Sequence, residues 1–162
     1  MTTFAQTEPN IKARNVVAIS ENLVTAGQPT AESLAGLSKL GFKAVINLAP
    51  PTVSDAVANE SQIIGDQGMA YVNIPVQWSK PTEEDFRAFA ESMKRLQGQK
   101  VLVHCQANMR ASAMTFLYRV IIAKENPALA YETVLKVWTP KDQWKELINS
   151  QLKKANIAYE IK

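Results

Sequence analysis

A single cysteine and an arginine close behind it are the residues of this chain whose types and spacing could do chemistry. Cys105 is the only cysteine, and it directly follows the apolar run Val101-Leu-Val-His104. Arg110 comes after four intervening residues. A thiolate can attack the phosphorus of a phosphate ester, and a guanidinium can hold two oxygens of a tetrahedral anion. The pair therefore predicts covalent catalysis on an anionic group.

Cys105 stands between a predicted strand and a predicted helix, which suits this chemistry. Residues 100–104 read as a buried strand, and a helical pattern begins near Arg110. In a loop of this kind several backbone N–H groups and the positive end of the helix dipole face one point, which binds anions and lowers the pKa of cysteine thiols. We expect an anion site lined by the amides of Gln106, Ala107, Asn108, Met109 and Arg110.

The elements that must position this loop alternate along the chain. Apolar runs predict strands near residues 16–19, 23–25, 43–48, 70–74 and 100–104. Helical spacing predicts helices near residues 30–40, 58–67 and 82–97, and from 110 onward with breaks near Pro127 and Pro140. This alternation indicates an α/β fold, with helices on both faces of a mostly parallel sheet and ligands at the carboxyl ends of its strands.

Length and composition limit the number of domains and the classes of ligand that this chain could bind. A chain of 162 residues suits one domain, which we place at residues 15–162 after an N-terminal extension, residues 1–14. The formal charge of +3 is spread along the chain, which argues against a nucleic-acid surface. One cysteine and one histidine rule out an internal disulfide and argue against a metal site.

Neither a membrane span nor a signal peptide is predicted. No apolar run approaches the roughly 20 residues needed to cross a bilayer, so no membrane partner is expected. The segment from Met1 to Glu8 lacks the basic and apolar regions of a signal peptide. We expect a cytoplasmic protein, or a periplasmic one if a leader has been removed.

The segment around Cys105 resembles the cysteine-dependent protein tyrosine and dual-specificity phosphatases, whose signature is His-Cys, five residues, then Arg. Upstream, the segments Val24-Thr-Ala-Gly27-Gln28-Pro29-Thr30 and Val45-Ile-Asn47-Leu48 resemble a bacterial branch of that superfamily, the DUF442 family. The resemblance covers roughly residues 15–125. It implies a dual-specificity-phosphatase-like fold with a central sheet of four or five strands.

The resemblance also implies roles for the site residues. Cys105 would form a phosphocysteine, Arg110 would bind the phosphoryl oxygens, and His104 would tune the thiolate. No metal or organic cofactor would be needed. Substrates would be phosphotyrosine-like or aryl phosphate monoesters, carried by a small molecule or a phosphoprotein.

The chain departs from the superfamily pattern inside the loop. Four residues instead of five separate the cysteine from the arginine, and none of them is glycine, so Asn108 is the residue best able to adopt a left-handed conformation. Ala111 replaces the usual hydroxyl residue, and Ser112 is the candidate substitute for stabilising the thiolate. Asn47, at the end of a predicted strand, is a candidate supporting residue.

The general acid has no direct match in the sequence. The position that carries an aspartate in related phosphatases falls here at Gln77 or Trp78. Asp85 and Glu83 are the favoured candidates, although first-turn carboxylates also stabilise helices. Asp55 lies in an earlier loop that could reach the site. Without an acid, aryl phosphates would be favoured because a phenolate leaves readily.

Two other functions use the same residues. A rhodanese-like sulfurtransferase would carry a persulfide on Cys105 and bind its sulfur donor through Arg110. A non-catalytic phosphate-binding module would keep the loop after losing the acid. The His-Cys pair and the Gly27-Gln28-Pro29 segment favour the phosphatase.

Overall fold

A five-stranded sheet forms the centre of the structure, a computed structural model that describes residues 9–162. The strands are β1 Val17–Ser20, β2 Leu23–Ala26, β3 Ala44–Asn47, β4 Ala70–Asn73 and β5 Val101–His104. Their spatial order is β1-β2-β5-β3-β4, in which β1 is antiparallel to β2 and the other neighbours are parallel. The α/β prediction with four or five mostly parallel strands is confirmed.

Helices cover both faces of this sheet. Leu34 of α1 and Ile64 of α2 belong to one buried cluster, and Phe89 of α3 and Ile148 of α6 belong to the other. The α-helices are α1 Ala31–Ala35, α2 Glu60–Gly65, α3 Glu83–Arg95, α4 Met109–Leu117, α5 Pro127–Leu135 and α6 Asp142–Lys154. A 3-10 turn, Leu37–Leu40, follows α1, and a π-helical turn, Tyr118–Ile122, extends α4.

The central strands are apolar throughout because both of their faces are covered. In β5, Leu102 packs in the cluster with α1 and α2, while Val101 and Val103 pack in the cluster with α3 to α6. β3 divides in the same way, with Val45 on one side and Ile46 on the other. This two-sided burial explains the continuous apolar runs in the sequence.

The predicted helix boundaries have clear local causes. Thr30 caps α1 by accepting a hydrogen bond from the Ser33 N–H, and Gly41 ends the following turn with a φ of 89°. Thr82 and Asp85 form a reciprocal capping box at the start of α3. The helix breaks predicted near Pro127 and Pro140 are also confirmed, since α5 begins at Pro127 and α6 begins after Pro140.

The carboxyl ends of β2, β3, β4 and β5 meet at one edge of the sheet. The loops that leave this edge are residues 27–30, 48–59, 74–82 and 105–108. The loop after the central strand β5 therefore has neighbours on both sides, and it carries Cys105.

Part of the predicted N-terminal extension packs against this edge. Residues 1–8, for which the sequence predicts no signal peptide, lie outside the described residues. Ile11 is buried in the cluster with α1 and α2, and the Lys12 N–H donates to the Ser33 hydroxyl at 2.8 Å. Among the described residues, no helix combines the length and the apolar character that crossing a membrane requires.

Candidate active site

The loop between β5 and α4 holds Cys105 at its start and a left-handed residue at its end. Cys105 follows the last residue of β5, and its N–H donates to the Ala26 carbonyl of β2 at 3.3 Å. Asn108 has a φ of 68° and a ψ of 3°, which is the left-handed conformation expected for it from the sequence. α4 begins at the next residue, Met109.

The carbonyls of this loop are held on its outer side. The Gln106 carbonyl accepts hydrogen bonds from the Gln28 N–H at 3.0 Å and from the Arg14 guanidinium at 3.2 Å. The Ala107 carbonyl accepts one from the Asn15 side chain at 3.0 Å. Because the C=O and N–H of a trans peptide point in opposite directions, this bracing turns loop N–H groups away from the outer side.

The opposite side of the loop faces a cavity. In the described part of the chain, the backbone N–H groups of residues 106, 107, 109 and 110 have no protein acceptor. The same residues line a cavity of about 340 Å³, and its full lining is Trp78, Cys105, Gln106, Ala107, Met109 and Arg110. The N-terminus of α4 adds its positive dipole end, so the cavity is suited to an anion.

Asn108 and Gly27 replace the glycines that usually shape such a loop. The Asn108 side chain is fully buried and donates to the Asn15 carbonyl at 2.6 Å and to the Thr25 hydroxyl at 3.0 Å. A Cβ on Gly27 would lie 2.5 Å from the Gln106 carbonyl oxygen. The required glycine therefore lies on the neighbouring strand end and permits the backbones to approach.

Arg110 is oriented by a backbone carbonyl. Its side chain is 6% exposed, and its Nε donates to the Val76 carbonyl at 3.0 Å. The guanidinium carbon lies 5.5 Å from the centre of the Trp78 ring, close enough for a cation–π contact. With Nε bound to the protein, the two terminal nitrogens are the groups that the guanidinium can offer to an anion in the cavity.

Trp78 forms one wall of the cavity and belongs to a cluster of three tryptophans. Its ring centre lies 5.4 Å from that of Trp138 and 5.6 Å from that of Trp144. Its carbonyl accepts hydrogen bonds from the indole of Trp144 at 3.0 Å and from Gln143 at 3.1 Å. The segment that carries the acid in related phosphatases is therefore fastened to α6.

Ser112 uses its hydroxyl inside the fold. The hydroxyl donates to the Met109 carbonyl at 3.1 Å and accepts from the Trp138 indole at 3.1 Å. Its one proton is thus directed at a carbonyl of its own helix. This arrangement does not support the predicted interaction of Ser112 with the Cys105 thiolate.

Asp85 and Glu83 do not line the cavity. The Asp85 carboxylate accepts from the Thr82 N–H at 2.9 Å in the capping box of α3. Glu83 pairs with Lys154 at 3.0 Å, and this hydrogen bond holds the pKa of Glu83 below its ordinary value. Glu83, stabilised as a carboxylate, is a poor proton donor, and Asp85 lies in a helix cap outside the cavity. Their placement does not support the predicted role as acid.

Asp55 reaches the rim of the loop. Its carboxylate accepts from the Gln106 side chain at 3.1 Å and lies 3.6 Å from the Arg14 guanidinium. The sequence had placed it in a loop that could approach the site, and the contact with Gln106 agrees with that placement.

A buried polar cluster lies behind Cys105, and sequence reasoning missed most of it. The Nε2 of His104 lies 2.6 Å from a Glu60 carboxylate oxygen, and both side chains are at most 3% exposed. Gln28 donates to the other Glu60 oxygen at 2.8 Å. One sequence signal could have revealed Glu60, because it precedes the apolar Ile64 by four residues and so shares the inward face of α2.

Tyr71 and Asn47 border this cluster. Burial, supported by the nearby Glu60 carboxylate and opposed by a hydrogen bond from Asn47, raises the pKa of Tyr71 to about 12. Asn47 donates to the Tyr71 hydroxyl at 3.2 Å and accepts from the Ala49 N–H at 2.9 Å. Asn47 therefore touches the surroundings of Glu60, as a supporting residue would.

Among the described residues, no group of three or more His, Cys, Asp or Glu side chains could hold a metal ion.

The fold is that of the dual-specificity phosphatases. PTPMT1, solved in complex with PI(5)P, superposes with a TM-score of 0.74 over 87% of this chain and 96% of its own, at 18% identity. A DUF442 protein from Shewanella putrefaciens CN-32 is 32% identical, with a TM-score of 0.80 over 89% of this chain and 95% of its own.

The family assignment rests on most of the chain. Residues 5–152 match the family described as "DSP-PTPase phosphatase fused to NAD+ Kinase", and the chain belongs to this family. The predicted resemblance to phosphatases of the dual-specificity type and to DUF442 is thereby confirmed.

A curated relative is much longer than this chain. The "Beta-lactamase hydrolase-like protein" of Agrobacterium fabrum is 36% identical over 104 residues, which are 62% of this chain and 24% of that protein. The chain thus spans about a quarter of that relative, and the likeness concerns one part of it.

Proposed function

We propose that this chain is a cysteine-dependent phosphoric monoester hydrolase that acts on phosphotyrosine-like or other aryl phosphates without a metal or cofactor. The observation that best supports this proposal is that Cys105 and Arg110 line the same cavity as four backbone N–H groups, which have no acceptor in the described chain. A phosphoryl group placed there would meet a nucleophile, a guanidinium and an amide cradle together.

The proposed reaction has two steps. The Cys105 thiolate attacks phosphorus, the bond from phosphorus to the aryl oxygen breaks, and the phenolate leaves with its electron pair. Water then attacks the phosphocysteine, the S–P bond breaks, and thiolate and inorganic phosphate are released. In both steps the amides of residues 106, 107, 109 and 110 and the Arg110 guanidinium stabilise the charge on the phosphoryl oxygens.

The substrate class follows from the missing acid. Asp85, Glu83 and Asp55 do not line the cavity, and the loop of Trp78 carries no carboxylate. A phenolate leaves without protonation far more readily than an alkoxide does. The Trp78 ring, 39% exposed at the cavity, offers a surface for an aromatic group. An inositol phosphate such as the PI(5)P bound by PTPMT1 is an alkyl ester and would be a poorer substrate here.

We also propose that the catalytic domain begins before residue 15. Ile11 is buried, and Arg14 donates to the catalytic loop. Residues 11–14 thus belong with the phosphatase domain that continues to residue 162.

The test is hydrolysis of an aryl phosphate by purified protein in the presence of a chelator, beside Cys105→Ser. We expect phosphate release by the wild type, an initial burst of phenol, and no turnover by the variant. Cys105→Ser should still bind inorganic phosphate, whereas Arg110→Ala should lose this binding. Retained turnover in Cys105→Ser would rule out the mechanism.

Sulfur transfer from thiosulfate to cyanide is assayed in parallel. Transfer without phosphate release would identify a rhodanese-like sulfurtransferase on a phosphatase fold. Phosphate binding without either reaction would identify a phosphate-binding module.

A further inference from the structure

Two consecutive residues that precede β1 hold the catalytic loop from outside. The Arg14 guanidinium donates to the Gln106 carbonyl at 3.2 Å, and the Asn15 side chain donates to the Ala107 carbonyl at 3.0 Å. The Asn15 carbonyl in turn accepts from the buried Asn108 side chain at 2.6 Å. Consecutive residues of the loop are thus joined to consecutive residues of another segment.

This segment, residues 11–15, is itself fixed to the rest of the fold, and we call it the N-terminal strap. Ile11 is buried in the cluster with α1 and α2. The Lys12 N–H donates to the Ser33 hydroxyl at 2.8 Å, and the Lys12 carbonyl accepts from the Thr30 N–H at 3.1 Å. Because the strap is anchored to α1 and to its cap, it can resist movement of the loop.

The end of β2 leaves room for the strap and the loop to meet. The Gly27 N–H donates to the Arg14 carbonyl at 2.8 Å. A Cβ on Gly27 would lie 3.0 Å from that carbonyl oxygen and 2.5 Å from the carbonyl oxygen of Gln106. The strap and the loop therefore pack on both sides of a position that only glycine can occupy without displacing one of them.

The loop depends on such an external contact because its own sequence gives it little shape. It has four residues and no glycine, and Asn108 is the residue within it that has a positive φ. A C=O that is fixed on the outer side also fixes the N–H of the same peptide on the opposite side. Asn15 fixes the peptide that joins Ala107 to Asn108, which lies between the acceptor-free N–H groups of Ala107 and Met109.

We propose that Asn15 is a positioning residue, which completes the catalytic loop from the N-terminal strap and so sets the affinity of the loop for a phosphoryl group. The inference rests on the proposed function, because it concerns the shape of the same anion site. An amide cradle binds an anion well when its N–H groups are already oriented before binding. A change at Asn15 should therefore weaken anion binding, although Asn15 does not line the cavity.

Asn15→Gly tests the proposal without changing a charge. Asn15 has a φ of 53°, a left-handed value that glycine adopts readily, so the variant removes the side chain and keeps the backbone conformation. We expect the Kd for inorganic phosphate, measured by calorimetric titration, to rise about fivefold, the effect of one lost hydrogen bond.

The matched control is Asn156→Gly. Asn156 is also a left-handed asparagine, with a φ of 58°, and it lies just beyond the end of α6. Its replacement should leave the Kd for phosphate at the wild-type value. A merely structural role for Asn15 would give a variant that unfolds at a lower urea concentration yet binds phosphate as the wild type does, and this result would overturn the proposal.

A second experiment uses the wild-type protein, so it decides the question even if Asn15→Gly does not fold. If the strap and the anion site are coupled, phosphate must also stabilise the strap, because coupling between two sites is reciprocal. We expect saturating inorganic phosphate to slow hydrogen exchange at the Gly27 and Thr30 amides, which are bonded to strap carbonyls. The slowing should exceed that at the Ile161 amide, which is bonded to Asn149. An equal change at all three amides would contradict the coupling.

The outcomes separate this inference from the proposed function. Phosphate binding needs no turnover, so weaker binding by Asn15→Gly in a protein that hydrolyses no aryl phosphate would sustain the inference and refute the hydrolase. Unchanged binding by Asn15→Gly in an active enzyme would refute the inference alone. A wild-type protein that binds no phosphate would overturn both.

Discussion

At the scale of single residues, contacts inside the fold orient the polar side chains of the catalytic loop and of the first turn of α4. Arg110 is held by the Val76 carbonyl, and Asn108 is held by the Asn15 carbonyl and the Thr25 hydroxyl. Such contacts reduce the number of conformations that a long or polar side chain must give up when a substrate binds. Arg110 therefore supplies both a positive charge and a guanidinium held in a fixed orientation, and a lysine at this position would keep only the charge.

We predict that Arg110→Lys lowers kcat/KM for an aryl phosphate by about a hundredfold, although the positive charge is kept. The planar guanidinium can bind the Val76 carbonyl and two phosphoryl oxygens at the same time, whereas a lysine ammonium lacks this planar set of donors. Steady-state kinetics test this, with Arg119→Lys as the matched control because Arg119 pairs with Glu125 away from the cavity. Near-wild-type kinetics in Arg110→Lys would mean that charge alone suffices.

The raised pKa of Tyr71 predicts a pH dependence of stability. Between about pH 10, the ordinary value, and about pH 12, the folded protein keeps the Tyr71 proton that the unfolded chain has lost. The free energy of unfolding therefore falls as pH rises through this range, by about 1 kcal/mol for this half-buried group because solvent screens part of the effect. Urea unfolding should show a smaller fall in Tyr71→Phe than in the wild type, and Tyr118→Phe should keep the full fall.

At the scale of elements, helix ends and strand ends explain which nearby groups are free for chemistry. The first turn of α3 carries three acidic residues, and the capping box uses Asp85 while Lys154 uses Glu83. The end of β2 presents Gly27 to the catalytic loop, where the Gln28 N–H binds the Gln106 carbonyl. The first turn of α3 therefore contributes stability, and the end of β2 contributes the shape of the site.

We predict that Asp85→Ala costs about 1 kcal/mol of stability and leaves the pH profile of aryl phosphate hydrolysis unchanged. The variant loses the bond from the Thr82 N–H, which belongs to the cap of α3. Chemical unfolding and pH–rate profiles measure the two effects. Glu84→Ala, a neighbour in the same turn, is the control, and loss of the basic limb in Asp85→Ala alone would restore Asp85 as the acid.

Gly27→Ala should weaken phosphate binding and lower stability by about 2 kcal/mol, as overpacking does elsewhere. The added methyl would meet the Gln106 carbonyl oxygen at 2.5 Å, and backbone must move to relieve the contact. Calorimetric titration with inorganic phosphate and urea unfolding test this. Gly36→Ala is the matched control, because there the nearest atom lies 3.7 Å away.

At the scale of the whole molecule, the C-terminal helix reaches back to the active-site rim. Trp144 of α6 is 1% exposed and donates to the Trp78 carbonyl, 66 residues earlier in the chain. Trp138 packs on the same ring and binds Ser112 of α4. The rim of the cavity thus depends on packing that is completed near the end of the sequence.

We predict that Trp144→Phe raises KM for an aryl phosphate about fivefold with little change in kcat. The variant keeps an aromatic ring but loses one hydrogen bond to the Trp78 carbonyl, which is worth about 1 kcal/mol. Steady-state kinetics on aryl and alkyl phosphates separate the two parameters. An equal KM in variant and wild type would show that Gln143, the other donor to that carbonyl, is enough.

The sequence by itself determined the parts of the protein that depend on neighbouring residues. The order of strands and helices, the caps at Thr30 and Thr82, and the left-handed Asn108 could all be predicted, because each depends on local periodicity or local backbone preference. The placement of Cys105 and Arg110 was predictable for the same reason, since a strand, a loop of four residues and a helix bring both to one cavity.

Only the tertiary structure decided what surrounds that loop. Arg14 and Asn15 brace it from 92 positions away, and Glu60 meets His104 across 44 positions. Helical spacing can place Glu60 on the inward face of α2, but no local pattern pairs these residues with the loop, because they meet it only through the strand order that places β5 between β2 and β3. The carboxylates of α3 show the same dependence. Whether a carboxylate serves catalysis, a helix cap or an ion pair depends on which distant groups the fold brings beside it.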